Sequence, residues 1–168
     1  PKHIFAHGWI TIDETKMSKS LGNVVSPTSV LETYDLKTPD AFRYYMATSA
    51  PCGKDGNYSD IDFKEKVNAH LANNMGNLLN RSLSMLVKYF DGEIKEEFLS
   101  NRSKEAESLL KTALGTVKVV ENCFDAFEIQ EAAQSIISLV DATNKFVTDN
   151  APWTLAKEDK MTECGQVL

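Results

Sequence analysis

The chain has 168 residues, of which 42% are hydrophobic, and its formal net charge is −6. It can bury a core, and its negative charge argues against binding nucleic acid through a general basic surface, so any RNA contact must rest on local patches and stacking. No apolar run approaches a membrane span and no segment has the pattern of a signal peptide, which predicts a soluble protein. Cys52, Cys123 and Cys164 form no CxxC pair, so we expect free thiols in a reducing compartment.

The N-terminal part alternates one extended segment with loops and short helices. The segment from His3 to Ile12 is rich in β-branched and aromatic residues and predicts a strand. The polar Asp13-Glu14-Thr15 would turn the chain into a lysine-rich loop. Two short helices should follow, begun by Ser26-Pro27 and by Thr38-Pro39, in which the hydroxyl residue caps the helix and Pro occupies its first position.

The rest of the chain is predicted to be helical. Pro51, Gly53 and Gly56 break the pattern before a short extended connector, which places a domain boundary near Asp62. From Phe63 the apolar residues recur at helical spacing until Asp91-Gly92. Similar patterns cover residues 103–124 and 128–149, and Pro152 can open a further short helix. We therefore expect a mainly α fold in which residues 63–168 form an antiparallel helix bundle, either complete or cut short at residue 168.

The lysine-rich loop is Lys16-Met17-Ser18-Lys19-Ser20, called the KMSKS loop below, followed by Leu21-Gly22-Asn23. A lysine ammonium is a compact charge on a flexible stem, so it can follow oxygens whose charge grows as a phosphoanhydride bond breaks. A solvated Lys/Ser-rich turn is the alternative. The complete five-residue string, after a strand pattern and before Gly-Asn, favours a polyphosphate site.

This string resembles the second signature of class I aminoacyl-tRNA synthetases, whose catalytic domain is a Rossmann-type α/β fold. The resemblance implies that residues 1–62 are the end of such a domain and that residues 16–20 bind ATP. It also implies that Lys19 stabilises the pyrophosphate leaving group with help from Lys16, while Ser18 and Ser20 supply hydrogen bonds. Lys16 and Lys19 are thus the expected catalytic residues.

Two features of the helical part are open to a second interpretation. Asn77 and Arg81 lie one turn apart on a polar stripe, which is either a solvated helix face or a reader of base edges. Trp153 either covers the bundle core, the usual place of a tryptophan, or offers a stacking platform to an unstacked base.

The phrases Asn77-Leu78-Leu79-Asn80-Arg81 and Asn150-Ala151-Pro152-Trp153 resemble the anticodon-binding domain of the methionyl-tRNA synthetase family. The resemblance implies that Asn77, Arg81 and Trp153 bind the CAU anticodon, with Trp153 stacking on its first base. The sibling synthetases for isoleucine, valine, leucine and cysteine are the alternative within the class. They share a helix like the one at Arg43 and Tyr44, which we interpret as packing and surface residues.

The resemblance also implies the partners of the complete enzyme: methionine, ATP with Mg2+, and tRNA(Met), in the cytoplasm or else in a mitochondrion or plastid. The first class I signature, the methionine pocket and any zinc-bearing insertion would lie upstream of Pro1. We therefore expect a fragment that is inactive alone. A non-catalytic RNA-binding module and a purely structural bundle remain as alternatives from other functional classes.

Overall fold

The computed structural model describes residue 2, residue 4, residues 6–100 and residues 102–168. It is mainly helical, as predicted, and contains one small three-stranded sheet. Its contacts divide the chain into two compact units. The first unit comprises Pro1–Leu71 and Val119–Ser135, and the second unit comprises Ala72–Lys118 and Ile136–Leu168. In the described part of the chain, no helix combines the length and the apolar character that crossing a membrane requires.

The sheet of the first unit presents the KMSKS loop. Strands β1 (Ile10–Ile12), β2 (Thr15–Lys16) and β3 (Gly56–Tyr58) lie in the order β2-β1-β3. Strand β1 runs antiparallel to β2 and parallel to β3. Asp13 and Glu14, at φ of 44° and 63°, form the two-residue connection between β1 and β2. Two positive φ angles match the twist of a tight hairpin, so β2 delivers the chain directly into the KMSKS loop.

The first strand is shorter than the predicted His3–Ile12. His3 and Phe5 lie outside the described residues, and residues 6–9 are not strand. The backbone of Gly8 lies so close to Lys54 that a Cβ would come within 2.1 Å of the Lys54 carbonyl oxygen. The Trp9 amide donates to a side-chain oxygen of Asp55 at 2.7 Å instead of joining the ladder. Strand pairing can therefore begin only at Ile10.

The two short helices differ in how they start. Helix α1 (Pro27–Thr33) has the predicted cap: the Ser26 hydroxyl accepts from the Ser29 amide at 3.1 Å, and the Ser29 hydroxyl accepts in return from the Ser26 amide. Helix α2 (Asp40–Ser49) begins after Pro39 without a side-chain cap. The prediction that Thr38 caps this helix is wrong, because its hydroxyl donates to the Asp40 carboxylate at 2.9 Å.

The core of the first unit is a hydrophobic cluster of Val30 and three aromatic residues, Tyr45, Tyr58 and Phe63. The ring of Tyr45 meets those of Tyr58 and Phe63 edge-on, with centroids 5.6 and 5.4 Å apart. The Tyr58 hydroxyl donates to the Asp60 carboxylate at 2.6 Å. The pKa of Tyr58 is raised, mainly by burial and next by the hydrogen bond to Asp60. Its phenol is therefore neutral at physiological pH, in the cavity that it lines together with Met17 of the KMSKS loop.

The long helical run contains a change of geometry. It consists of α3 (Asp60–Lys66), a π-helix (Val67–Gly76) and α4 (Asn77–Phe90), and it ends as predicted, with Asp91 in the left-handed region at φ 54°. The prediction of one α-helix is wrong in the middle. Backbone carbonyls of the π-helix accept from asparagine amides of other helices: Asn77, the first residue of α4, donates to the Asn73 carbonyl at 3.0 Å, and Asn144, in the helix Ile129–Asn150, donates to the Asn74 carbonyl at 3.4 Å. Such side chains compete with regular helix pairing.

The remaining helices are α5 (Lys104–Asp125), α6 (Ile129–Asn150), α7 (Pro152–Lys157) and α8 (Met161–Val167), with a 3-10 turn at Glu96–Leu99. Pro152 opens α7 as predicted, whereas α8 and the 3-10 turn were not predicted. The 3-10 turn supplies Phe98 and α8 supplies Cys164 to a core cluster of the second unit, in which the rings of Phe90 and Phe98 lie 4.7 Å apart beside the buried Cys164. A Cβ on Gly165 would lie 2.6 Å from the Phe98 ring, so α8 can pack there only through a glycine.

Candidate functional site

The KMSKS loop is folded by its own backbone. The Leu21 amide donates to the Ser18 carbonyl at 3.2 Å, and the Gly22 amide donates to the Lys19 carbonyl at 3.3 Å. Gly22 takes φ 66°, which a glycine adopts without strain. The hydroxyls of Ser18 and Ser20 lie 2.8 Å apart. The loop is thus a pair of consecutive turns that carries two linked hydroxyl groups.

The side chain of Asn23 ties this loop together, a role that the sequence analysis missed. Its Oδ1 accepts from the Ser18 amide at 2.8 Å, and its Nδ2 donates to the Lys16 carbonyl at 3.2 Å. A backbone amide can only donate and a carbonyl can only accept, so the orientation of the Asn23 amide is fixed by chemistry. The only sequence signal was its place directly after Gly22.

The two lysines of the loop are open to an anion. Lys16 and Lys19 are both exposed, and within the part of the chain that the structure describes neither forms an ion pair. The Lys16 ammonium lies 5.2 Å from the ring centre of Trp9, whose side chain is 70% exposed. A cation–π contact at an exposed site contributes about 0.5–1 kcal/mol, so it guides the ammonium without holding it fast.

Met17 attaches the loop to the first unit on its apolar side. It lines a cavity of about 200 Å³. The other lining residues are Ile10, Ile12, Val25, Pro27, Phe42, Met46 and Tyr58. The loop therefore has an apolar anchor at Met17 beneath its polar and charged residues.

Asn77 and Arg81 lie at the start of α4 in the second unit. Asn77 is exposed, and its amide nitrogen donates to the Asn73 carbonyl, which leaves its side-chain oxygen without a hydrogen-bond partner among the described residues. Arg81 is half-buried. Its Nε and Nη2 are buried and find no hydrogen-bond acceptor among the described residues. A buried guanidinium nitrogen without an acceptor is costly.

Trp153 lies at the start of α7, in the same unit as Asn77 and Arg81. Ala151 precedes the helix in the left-handed region at φ 40°, and Pro152 is buried. The indole keeps 37% of its surface exposed, so it is not sealed in the core. The structure therefore places the three anticodon residues of the sequence analysis in the second unit and the KMSKS loop in the first.

Other candidates have plain structural surroundings. Arg43 is exposed, and the Tyr44 hydroxyl lies 2.7 Å from Nδ1 of His70. Burial raises the pKa of Tyr44. These contacts agree with the interpretation of both as packing and surface residues.

Cys52 is exposed, and Cys123 and Cys164 are buried, all as free thiols. The described residues contain no group of three or more His, Cys, Asp or Glu side chains that could hold a metal ion.

Comparison with known proteins gives concordant results for both halves of the chain. The family model described as class I tRNA synthetases (M) matches residues 1–83, and the model for the anticodon binding domain of methionyl tRNA ligase matches residues 100–167. The methionine–tRNA ligase of Listeria monocytogenes serotype 4b is 44% identical over 169 residues, covering 100% of this chain and 25% of its own length.

Two further relatives extend the comparison. Methionine–tRNA ligase 1 of Bacillus cereus is 44% identical over 163 residues, covering 97% of this chain and 24% of its own length. The crystal structure of Mycobacterium tuberculosis methionyl-tRNA synthetase bound by methionyl-adenylate superposes with a TM-score of 0.89 at 34% identity, covering 99% of this chain and 32% of that one. The chain thus spans about a quarter of the length of the curated relatives it matches.

Proposed function

Because this chain belongs to the methionyl-tRNA synthetase family, we propose that it works as part of a methionine–tRNA ligase. The complete enzyme activates methionine with ATP and transfers the methionyl group to tRNA(Met). In this proposal residues 1–62 end a Rossmann-type catalytic domain, and residues 63–168 belong to an antiparallel helical domain that recognises the CAU anticodon.

The observation that carries the catalytic part is two exposed ammonium groups on a folded loop, neither of which forms an ion pair with a described residue. Methionine activation is attack by a carboxylate on the α-phosphate of ATP, with pyrophosphate as the leaving group. Lys19 stabilises the charge that gathers on the pyrophosphate, and Lys16 assists from its place over Trp9. Mg2+ enters with ATP and neutralises part of the triphosphate charge.

The serine hydroxyls have a complementary role. Ser18 and Ser20 lie within hydrogen-bond distance of each other, so one hydroxyl proton is used between them and the second stays available. That second proton can be donated to a phosphate oxygen. The loop then offers both charge and directed hydrogen bonds to the leaving group, while Met17 keeps its apolar side on the protein.

The RNA part of the proposal is supported by the polar atoms at the start of α4. The guanidinium of Arg81 has buried nitrogens that lack an acceptor among the described residues. If the side chain turns outward, a base edge supplies acceptors in one plane. Asn77 keeps an exposed amide oxygen one turn away. The open part of the Trp153 ring can take a stacked base, a contact of about 1–3 kcal/mol.

Methionine-dependent exchange of pyrophosphate into ATP by the full-length protein tests the catalytic part. We expect Lys19→Ala to lower the exchange rate by about a hundredfold or more, because one charge-stabilising group is removed from the transition state. The affinity for methionine should stay unchanged. Lys37→Ala is the matched control, since Lys37 is an exposed lysine of the same unit whose ion pair is with the exposed Asp35.

Unchanged exchange in Lys19→Ala contradicts the assigned role. A full-length protein that binds tRNA(Met) without any exchange activity is instead a non-catalytic RNA-binding module. The sibling synthetases lose support because both matching family models are those of the methionine enzyme.

A further inference from the structure

We propose that Asn23 is a positioning residue that holds the KMSKS loop in one shape, so that the loop moves against ATP as a single piece. This inference rests on the proposed function for its catalytic consequence. Its structural basis is the clamp between the Asn23 side chain and the backbone of Lys16 and Ser18.

The clamp spans the two ends of the loop. Lys16 is the last residue of β2, and Asn23 follows the second turn, so their contact closes the segment that contains both lysines. Inside the closed segment the two turn hydrogen bonds run from Leu21 to Ser18 and from Gly22 to Lys19. Ser18 takes part in both systems, since its amide binds Asn23 and its carbonyl accepts from Leu21. The Asn23 clamp and the turn hydrogen bonds therefore meet at Ser18, because the clamp uses the peptide group before this residue and the first turn uses the peptide group after it.

Little else fixes this shape. Leu21 and Gly22 are exposed, and a Cβ on Gly22 would meet nothing within 4 Å. At its start the loop is held by the pairing of Lys16 with Thr11 and by the Lys16 contact with Trp9, and Met17 lies in its apolar cavity. Among the described residues, the other contacts that define the loop are its own turns, the hydroxyl pair and the Asn23 clamp. An exposed loop held by few hydrogen bonds opens readily when one or two of them are lost.

The catalytic consequence follows from the position of the lysines. The direction of each lysine stem is set by the backbone on which it is mounted, and Asn23 fixes the carbonyl of Lys16 and the amide of Ser18. A misplacement of about 1 Å in a charge-stabilising group can cost on the order of a hundredfold in rate. Asn23 touches no reacting atom in this proposal, and it acts through Lys16 and Lys19.

The experiment compares Asn23→Ala, Asn23→Asp and wild type in the full-length protein, with Asn68→Ala as the matched control. Asn68 is an exposed asparagine in the same unit, away from the loop. For Asn23→Ala we expect a fall of about tenfold to a hundredfold in the maximal rate of pyrophosphate exchange, with methionine affinity unchanged. Asn23→Asp keeps an acceptor for the Ser18 amide but loses the donor to Lys16, and its added charge opposes triphosphate. We therefore expect the exchange rate of Asn23→Asp to fall at least as far as that of Asn23→Ala, whereas its loop should open less readily than the loop of Asn23→Ala.

A second measurement reports the clamp without using catalysis. Trypsin cleaves after lysine, so its rate of cleavage at Lys16 and Lys19 follows opening of the loop. We expect cleavage of Asn23→Ala to be about fivefold faster than wild type or more, with Asn23→Asp between them and Asn68→Ala unchanged.

The outcomes separate the inference from the proposed function. Equal cleavage rates in wild type and Asn23→Ala overturn the clamp, and faster cleavage with an unchanged exchange rate overturns its positioning role. A loss of methionine affinity in parallel with exchange would show general destabilisation and would also overturn it. If wild type itself shows no exchange, the proposed function fails, and the cleavage rates alone then decide whether Asn23 fixes the loop.

Discussion

Arg81→Met separates an RNA-binding role of Arg81 from a structural one. The half-buried guanidinium has two buried nitrogens without an acceptor among the described residues. An unsatisfied buried donor costs about 1–3 kcal/mol, and methionine retains most of the apolar stem of arginine without any donor. After allowance for some lost packing, we expect α4 to become more stable by about 1 kcal/mol, or to be unaffected. Affinity for tRNA(Met) should fall by more than tenfold, because the charged donors to the anticodon are gone.

Amide hydrogen exchange across Asn77–Phe90 of the full-length protein measures the stability change locally, and filter binding measures the RNA affinity. A gain of about 1 kcal/mol corresponds to exchange that is roughly fivefold slower. The control is Arg102→Met, which makes the same substitution at an exposed arginine of the same unit and should change neither quantity. Faster amide hydrogen exchange in Arg81→Met with unchanged RNA affinity would refute the reasoning, because it would show that Arg81 stabilises the helix and does not bind RNA.

Two further predictions concern stability. Gly165→Ala should destabilise the second unit by about 1–3 kcal/mol in a denaturant melt, because the added carbon would lie 2.6 Å from the Phe98 ring. Gly115→Ala in α5 should instead stabilise by about 0.5–1 kcal/mol, since nothing lies within 4 Å, and equal effects at the two sites would contradict the packing described. The raised pKa of Tyr58 means that its contribution to stability is complete below the unfolded pKa of 10.0 and is lost as pH rises through the folded pKa. Phenolate absorbance should therefore show Tyr58 ionising late, and earlier in Asp60→Asn; ionisation at the ordinary pH in wild type would contradict its burial.

Local signals in the sequence were sufficient for several element ends. Ser26-Pro27 starts a helix and Asp91-Gly92 ends one, because the capping groups act within a few residues of each other. Pro152 opens α7 for the same reason. Elements that depend on distant contacts were missed: α8 packs through Gly165 onto Phe98, a residue far away in the sequence. The π-helix was missed as well, and one of its residues, Asn74, is hydrogen-bonded by Asn144, which is also far away in the sequence.

The candidate site shows the same division. The five residues of the KMSKS loop could be read from the sequence because the motif is contiguous. The contact of the Lys16 ammonium with the Trp9 ring could not be predicted from the sequence, because the β1–β2 hairpin is what brings the two side chains together. On α4, helical spacing put Arg81 on a polar stripe beside Asn77, but it gave no indication that part of the guanidinium would be buried.

The most direct test of the central claim is the affinity of the full-length protein for tRNA with a CAU anticodon and for the same tRNA with that triplet altered. The proposal predicts that wild type prefers CAU by more than tenfold. It also predicts that Trp153→Ala binds the CAU tRNA more than tenfold more weakly while keeping its helical content, because one stacking contact of about 1–3 kcal/mol is removed. Equal binding of the two tRNAs by wild type would contradict the assignment of the second unit to the methionine anticodon.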